Sequence, residues 1–287
     1  MTYTTLQKVI LLTVLTIGLH INSFSQNFRK EKQRIIEVLE KAYESDQKVR
    51  QEFNTCISTK GSRDEECKIK RKELGIQDSI NQKIVGEILD QYGWLSPKKT
   101  SEKANRAFFY VIQHAPLEFQ SKYAILIDKA FKNGEINSTE YAFFVDRYRS
   151  KQGKAQLYGT QAETDNLGNS YLYPLENWRM VNSLRKGLNL PALDFSQIPE
   201  HNLYPLIING DTITLIGHIF DKSNNPISDA IVSIDSKTIG HSNDKGFFII
   251  NLKRPTETAK IIVQVKDKWN TAIIKGQKDF YNIYMQF

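Results

Sequence analysis

The side chains in this sequence with the type and spacing to do chemistry begin with Asp46 and Arg50. At about 100° per residue, both fall in the middle of the helical face set by Ile35, Leu39, Tyr43 and Phe53. An acid and a base one turn apart on an apolar face must pair or line a cavity, because an isolated buried charge is costly. Either they form a buried ion pair that fixes helix register, or they make a charged cleft wall. His114 is next, in the last turn of a nearly all-apolar helical run. The helix C-terminus favours its protonated form, and a neighbouring carboxylate would favour it further. With Asp46 or Asp146 orienting it, His114 can serve as a general acid/base; without such a role it is a satisfied structural residue. No nucleophile accompanies it: no serine sits in a Gly-x-Ser-x-Gly elbow, so a hydrolase of this design must activate water directly.

A second group lies between Gly153 and Gln161. Lys154, Gln156, Tyr158, Thr160 and Gln161 stand there among glycines, and such a loop can hold a carboxylate, a phosphate or sugar hydroxyls. The alternative is a loop whose polar groups satisfy one another. It is not a phosphate-binding P-loop, lacking the Gly-Lys-Thr ending before a helix. Asp146 and Arg147 lie off the apolar stripe of the preceding helix (Tyr141, Phe144, Val145, Tyr148), so they can face this loop. Asn133, Gly134, Ile136 and Glu140 match part of a calcium-binding EF-hand loop. The first and third ligand positions would then be Lys129 and Phe131, which cannot bind calcium. No metal site and no cofactor is expected.

The elements that must position these groups are mainly helical. Helices are expected from Phe28 to Phe53, Ile76 to Tyr92, Glu102 to His114, Leu117 to Asn133, and Asn137 or Ser138 to Arg149. Gly93, Pro116 and Gly134 provide stops, and Asn137 or Ser138 a cap. A loop-rich stretch follows, with a short helical piece near Glu176 to Leu188. Pro199, Pro205, Asn209 and Gly210 then interrupt regular structure. Beyond them, Ile213 to Phe220, Ala230 to Ile234, Phe247 to Leu252, Ala259 to Val265 and Tyr281 to Phe287 read as strands with turn chemistry between. Short strands at about ten-residue intervals argue a sandwich.

With 287 residues, 40% hydrophobic and 25% charged, the chain has ample material for packed domains and is not disordered. Its formal charge of +7 is scattered among acids without an Arg-rich stripe, so no specific nucleic-acid partner is expected. Lys8, the apolar run Val9 to Leu19 and Ser23-Phe24-Ser25 make a secretory signal pattern over residues 1–25. The run is short of the roughly 20 residues that span a bilayer. No cysteine follows it for a lipid anchor. An exported protein, periplasmic or at the cell surface, is expected, with no transmembrane segment after cleavage. Cys56 and Cys67, the only two cysteines, are then expected to form a disulfide.

Two resemblances sharpen the domain plan. Gly217-His218-Ile219-Phe220-Asp221, Asn225-Pro226-Ile227, Asp229-Ala230-Ile231-Val232, Thr238-Ile239-Gly240 and Asp244-Lys245-Gly246-Phe247-Phe248 resemble the carboxypeptidase regulatory-like, transthyretin-like sandwich domains of exported Bacteroidetes proteins. Those modules are non-catalytic, so the resemblance implies an adaptor, spacer or docking face. The region from about Glu40 to Leu193 resembles an uncharacterised bacterial family of helical domains. It does so through Asp46-Gln47 with Arg50, Tyr92-Gly93-Trp94, Gln113-His114-Ala115 with Phe119-Gln120, Asp146-Arg147, and Gly153-Lys154-x-Gln156-x-Tyr158-Gly159-Thr160-Gln161. Pro174, Arg185 and Gly187-Leu188 complete that pattern, and no activity comes with it.

The expected fold is multidomain, α and β: a signal peptide (1–25), a helical domain (26–197), a linker (198–212) and a small antiparallel β-sandwich (213–287). The expected function is an envelope binding or interaction protein. Its ligand, a small anionic group, glycan or peptide, would be held by Arg50, Gln120, Arg147, Lys154, Gln156, Tyr158, Thr160 and Gln161. A hydrolase using His114 with Asp46 or Asp146, and a structural protein acting through the sandwich surface or other envelope proteins, are the alternatives.

Overall fold

The structure is a computed structural model that describes residues 3–61, 64–164, 170–195, 211–223 and 225–287; the side chains of 3–28, 163–164 and 170–171 lie outside the description. It has a helical N-terminal part and a C-terminal pair of β-sheets packed as a sandwich, as the sequence indicates. By compactness the chain divides into two units, Met1–Ile136 and Asn137–Phe287.

The first unit contains α1 (Tyr3–Lys60), α2 (Glu65–Tyr92), α3 (Glu102–His114) and α4 (Leu117–Lys132). Leu39, Val85, Phe108, Ile112 and Ile127 are fully buried at its core. The Ser101 hydroxyl caps α3 by accepting from the Ala104 N–H, and Gly93 ends α2 in the left-handed region at φ 67°. Asn105 accepts from the Trp94 indole at 2.9 Å and donates to the Glu135 carbonyl at 2.7 Å, fixing α3 against the segments on either side.

Two helices run further than their apolar stripes. The stripe of α1 stops near Phe53 and that of α2 starts near Ile76, yet the helices continue to Lys60 and back to Glu65. Between those limits the helix pair is held by other chemistry. Cys56 and Cys67 are joined by a disulfide, Lys70 bridges to Glu52 at 2.9 Å, Lys60 pairs with Glu66, and the Arg71 guanidinium lies over the Phe53 ring. Closing this short loop contributes about 3 kcal/mol in the chain-entropy account. Polar residues therefore belong to a helical hairpin here.

The second unit opens with α5 (Ser138–Lys151), started by a full capping box of Asn137 and Glu140. A short hairpin, β1 (Ala162–Thr164) with β2 (Ser170–Leu172), and α6 (Trp178–Gly187) follow. Then come β3 (Thr212–Phe220), β4 (Ile231–Ile234), β5 (Lys237–His241), β6 (Phe247–Lys253), β7 (Thr258–Val265), β8 (Lys268–Lys275) and β9 (Phe280–Gln286). One sheet has the order β6-β3-β9 and the other β5-β4-β7-β8. The pairing is antiparallel except that β9 runs parallel to β3, so the sandwich is mixed at that pair. Strands β5 and β8 do not stand out as apolar runs because each lies at a sheet edge with most side chains exposed. The expected linker falls outside the described residues as far as 210.

β3 reads as a continuous apolar run because both its faces are covered. Ile213, Leu215 and Ile219 point into the sandwich core with Val232, Ile261, Val263 and Ile283. Ile216 lies on the opposite face, packed with Phe247, Phe280 and Tyr173. Gly217 is required on the inner face: a Cβ there would come within 1.8 Å of the Phe248 ring directly across the ladder. His218 is buried on the outer face, its ring stacked 4.8 Å from Tyr284.

Candidate functional site

The expected site residues fall into two groups, one in each unit. In the first, α1 presents Asp46 on the buried face below Ile35, Leu39 and Ala42, and the carboxylate is 1% exposed. Arg50, one turn on, donates to Asp46 Oδ1 at 3.1 Å and also pairs with Asp78 of α2. Gln47 donates to Asp46 Oδ2 at 2.8 Å. His114, at the end of α3, places Nδ1 3.1 Å from Asp46 Oδ1, with Tyr110 alongside its ring. One carboxylate thus ties α1 to α3, and the guanidinium beside it ties α1 to α2.

Burial opposes ionisation of Asp46. The hydrogen bond and positive charge of His114, the charge of Arg50 and the Gln47 amide outweigh it and hold the carboxyl below its ordinary value. Asp78 goes the other way: burial and the Asp46 charge push its pKa up, and Arg50 only partly opposes them. Gln120 is fully buried and donates to the Gln113 carbonyl at 2.8 Å, so it secures the turn between α3 and α4.

In the second unit, Asp146 of α5 is fully buried beneath the 153–161 loop. Its Oδ1 accepts from the Leu157 and Tyr158 N–H groups at 2.7 and 3.0 Å, and its Oδ2 from the Thr160 N–H and hydroxyl, both at 2.9 Å. Burial pushes the Asp146 carboxyl upward against these donors. Gln156, also buried, donates to the Gln161 and Tyr173 carbonyls and accepts from the Gln161 N–H. Arg185 donates to the Tyr158 carbonyl at 2.7 Å. The polar groups of Asp146, Gln156, Tyr158 and Thr160 that these bonds engage hold the loop's own shape. Lys154 is exposed, and its backbone N–H bonds to the Arg149 carbonyl.

Next to this braced loop is a cavity of about 350 Å³, lined by Arg147, Ser150, Lys151, Gln161, Ala162, Tyr173, Phe280 and Asn282. Two cations one helical turn apart face it, and among the described residues no carboxylate is in its lining. Arg147 Nε donates to Gln161 Oε1 at 3.0 Å, which fixes the guanidinium. The Ser150 hydroxyl is buried and has no hydrogen-bond partner among the described residues. Tyr173 and Phe280 put ring centroids 5.6 Å apart on one wall. Gly153 seats the loop against β9: its carbonyl accepts from the Asp279 N–H at 2.6 Å, its φ of 71° favours glycine, and a Cβ there would come within 2.6 Å of the Lys278 side chain. Of the expected ligand-binding residues, Arg147 and Gln161 line this cavity. Ser150 and Lys151 lie one helical turn beyond Arg147, where α5 runs past its expected end at Arg149, while Tyr173, Phe280 and Asn282 are additions that no spacing in the sequence links to them.

Among the described residues, Cys56, Asp64 and Cys67 are close enough to hold a metal ion, but both sulfurs are committed to the disulfide. No helix among the described residues is long and apolar enough to cross a membrane.

No curated protein matches the chain. Among solved structures, the chain is similar over 25% of its length to 93% of one from "Conserved hydrophobic clusters on the surface of the Caf1A usher C-terminal domain are important for F1 antigen assembly". The identity is 18% and the TM-score 0.20. A family model described as "Family of unknown function (DUF6624)" matches residues 33–202, which takes in both the Asp46–His114 cluster and the braced loop over Asp146. By that match over more than half its length, the chain belongs to this family of unknown function.

Proposed function

We propose that this is an exported binding protein whose second unit captures a small anionic ligand, such as an acidic sugar or a carboxylate-bearing fragment, in the cavity beside α5. The observation that carries this reading is the lining of that cavity, where Arg147 and Lys151 are the charged groups among the described residues. Arg147 is oriented by Gln161, and a fixed guanidinium recognises a carboxylate or phosphate better than a mobile one. The adjoining aromatic wall suits the apolar face of a sugar ring. Export is supported by the disulfide, which persists in oxidising compartments, and by the signal pattern of the first 25 residues. On this reading the sandwich, which resembles the carboxypeptidase regulatory-like domains, is a non-catalytic support for the site.

The test is calorimetric titration with galacturonate, N-acetylneuraminate and their neutral parent sugars. The acidic sugars should bind, the neutral ones at least tenfold more weakly, and Arg147→Gln/Lys151→Gln should bring all of them to background. Equal affinity for acidic and neutral sugars would remove the anion-binding reading.

A second reading rests on the Asp46–His114 contact, in which a carboxylate orients an imidazole as general acid/base catalysis requires. It predicts that His114→Ala abolishes turnover of an envelope polymer while ligand affinity persists. If purified protein releases no product from peptidoglycan or capsular polysaccharide, the Asp46–His114 pair is structural.

A further inference from the structure

β8 ends one sheet of the sandwich, no strand among the described residues pairs with its outer edge, and its sequence is complementary to itself. Ile274 is buried in the core and Ala272 packs against it, so even-numbered side chains point inward. Trp269, Thr271, Ile273 and Lys275 therefore stand on the outer face. Trp269 is 68% exposed and Ile273 59%, both large apolar groups left in water at a sheet margin. Such an edge ordinarily invites another strand.

The direction of the backbone groups is marked by Tyr281. Its hydroxyl reaches from β9 to accept from the Lys275 N–H at 2.7 Å and to donate to the Lys275 carbonyl. Lys275 thus turns its backbone groups away from β7. Because alternate residues of an antiparallel strand face the same side, Ile273, Thr271 and Trp269 do likewise. No backbone hydrogen bond joins β8 to β9 among the described residues.

We infer that β8 pairs antiparallel with β8 of a second copy about a two-fold axis through Thr271, joining two four-stranded sheets into one. Only registers that oppose odd positions to odd positions satisfy the outward N–H and C=O groups. The symmetric one sets Thr271 against Thr271 and Trp269 against Ile273. It also sets Asp267, just before the strand, against Lys275. Opposed apolar and opposite-charge pairs each add stability to such a ladder. Both ends therefore carry a salt link and the middle a Trp–Ile contact, as an isologous interface requires. Neither Asp267 nor Lys275 has an ion-pair partner within the chain among the described residues. The Tyr281 hydroxyl closes the backbone of Lys275, so the shared ladder stops at Ile273 and Trp269. The register also opposes Lys268 to buried Ile274 and Asn270 to Ala272, so no like charges meet.

The experiment is sedimentation velocity on the full mature chain across a concentration series, with a charge-swap cycle. Wild-type protein should dimerise reversibly. Asp267→Lys and Lys275→Asp should each weaken the dimer about threefold to thirtyfold, since each alters two symmetric pairs worth a few tenths to one kcal/mol apiece. The double exchange Asp267→Lys/Lys275→Asp should restore it. In parallel, hydrogen exchange at the Thr271 and Ile273 amides of the wild type should slow as concentration rises. A chain that stays monomeric up to about 100 μM, a dimer indifferent to the swap, or amides whose exchange ignores concentration would each overturn the inference.

Discussion

Asp146→Ala is expected to destabilise the protein by about 3–5 kcal/mol and to release the 157–160 turn while leaving the rest of the second unit folded. A buried charge with several donors aimed at it is the costliest kind of group to remove, because every donor is left without a partner. Here the donors are the N–H groups of Leu157, Tyr158 and Thr160 and the Thr160 hydroxyl. Asp146→Asn keeps an acceptor but turns an amide donor toward one side of the cluster, so an intermediate loss is expected. Denaturant midpoints give the magnitude, and hydrogen exchange at those three amides gives the place. Exchange that stays slow in Asp146→Ala would mean the loop is held by Gln156 and Arg185 alone. Because Gln161 orients Arg147 from the far end of the same loop, anion binding should fall with loop order even though Asp146 is not in the cavity.

Arg50→Met is expected to cost a similar 3–5 kcal/mol, for a different reason. The guanidinium separates two carboxylates, Asp46 at 1% exposure and Asp78 at about a fifth, and its loss leaves like charges facing each other out of water. Asp78→Asn in the Arg50→Met background should recover part of the loss, and Asp46→Asn more. A full loss that neither change relieves would show that the aliphatic stem of Arg50, rather than its charge, is what matters.

The pH dependence separates the two carboxylates. Asp46 has a folded pKa below its unfolded one, so its stabilisation is present above the unfolded value and is lost as pH falls through the folded value. Asp78 has a raised folded pKa, so its ionisation opposes folding, and that opposition disappears on acidification. The stability advantage of wild type over Asp46→Asn should therefore shrink below about pH 4, while that of Asp78→Asn over wild type should also close. Urea midpoints at neutral and acid pH measure both.

Particular residues show how far the sequence could be read. The periodicity of Ile35, Leu39, Tyr43 and Phe53 placed Asp46 on an apolar face, and the structure finds its carboxylate buried there. The stop at Gly93, the cap at Asn137 and the turn before Phe247 were legible because each depends on a few adjacent residues. The helical hairpin around Cys56 and Cys67 was not legible as helix, since a disulfide and ion pairs replace the apolar stripe there. For the polar groups, His114 was identifiable by type but its partner was not: both Asp46 and Asp146 stood open. Sequence separation carries no information about which carboxylate a helix end will meet. Packing of α3 on α1 brings Asp46, while Asp146 is occupied by its own loop.

By itself, then, the sequence determined the local and the periodic: where helices give way to strands, which faces are apolar, which turns need glycine or asparagine, and that two cysteines lie within reach of each other. Those depend on interactions over a few residues, and the chain carries them wherever it goes. Only the tertiary structure decided which distant groups share a space. Lys151, Tyr173, Phe280 and Asn282 come from a helix, a hairpin and a sheet edge, and they line one cavity because the 153–161 loop is pinned at Asp146 and at Gly153. The same holds for β8, whose outward edge follows from its place in the sheet order. A strand's pattern says which side chains are buried, but only its neighbours say which backbone groups are left to seek a partner.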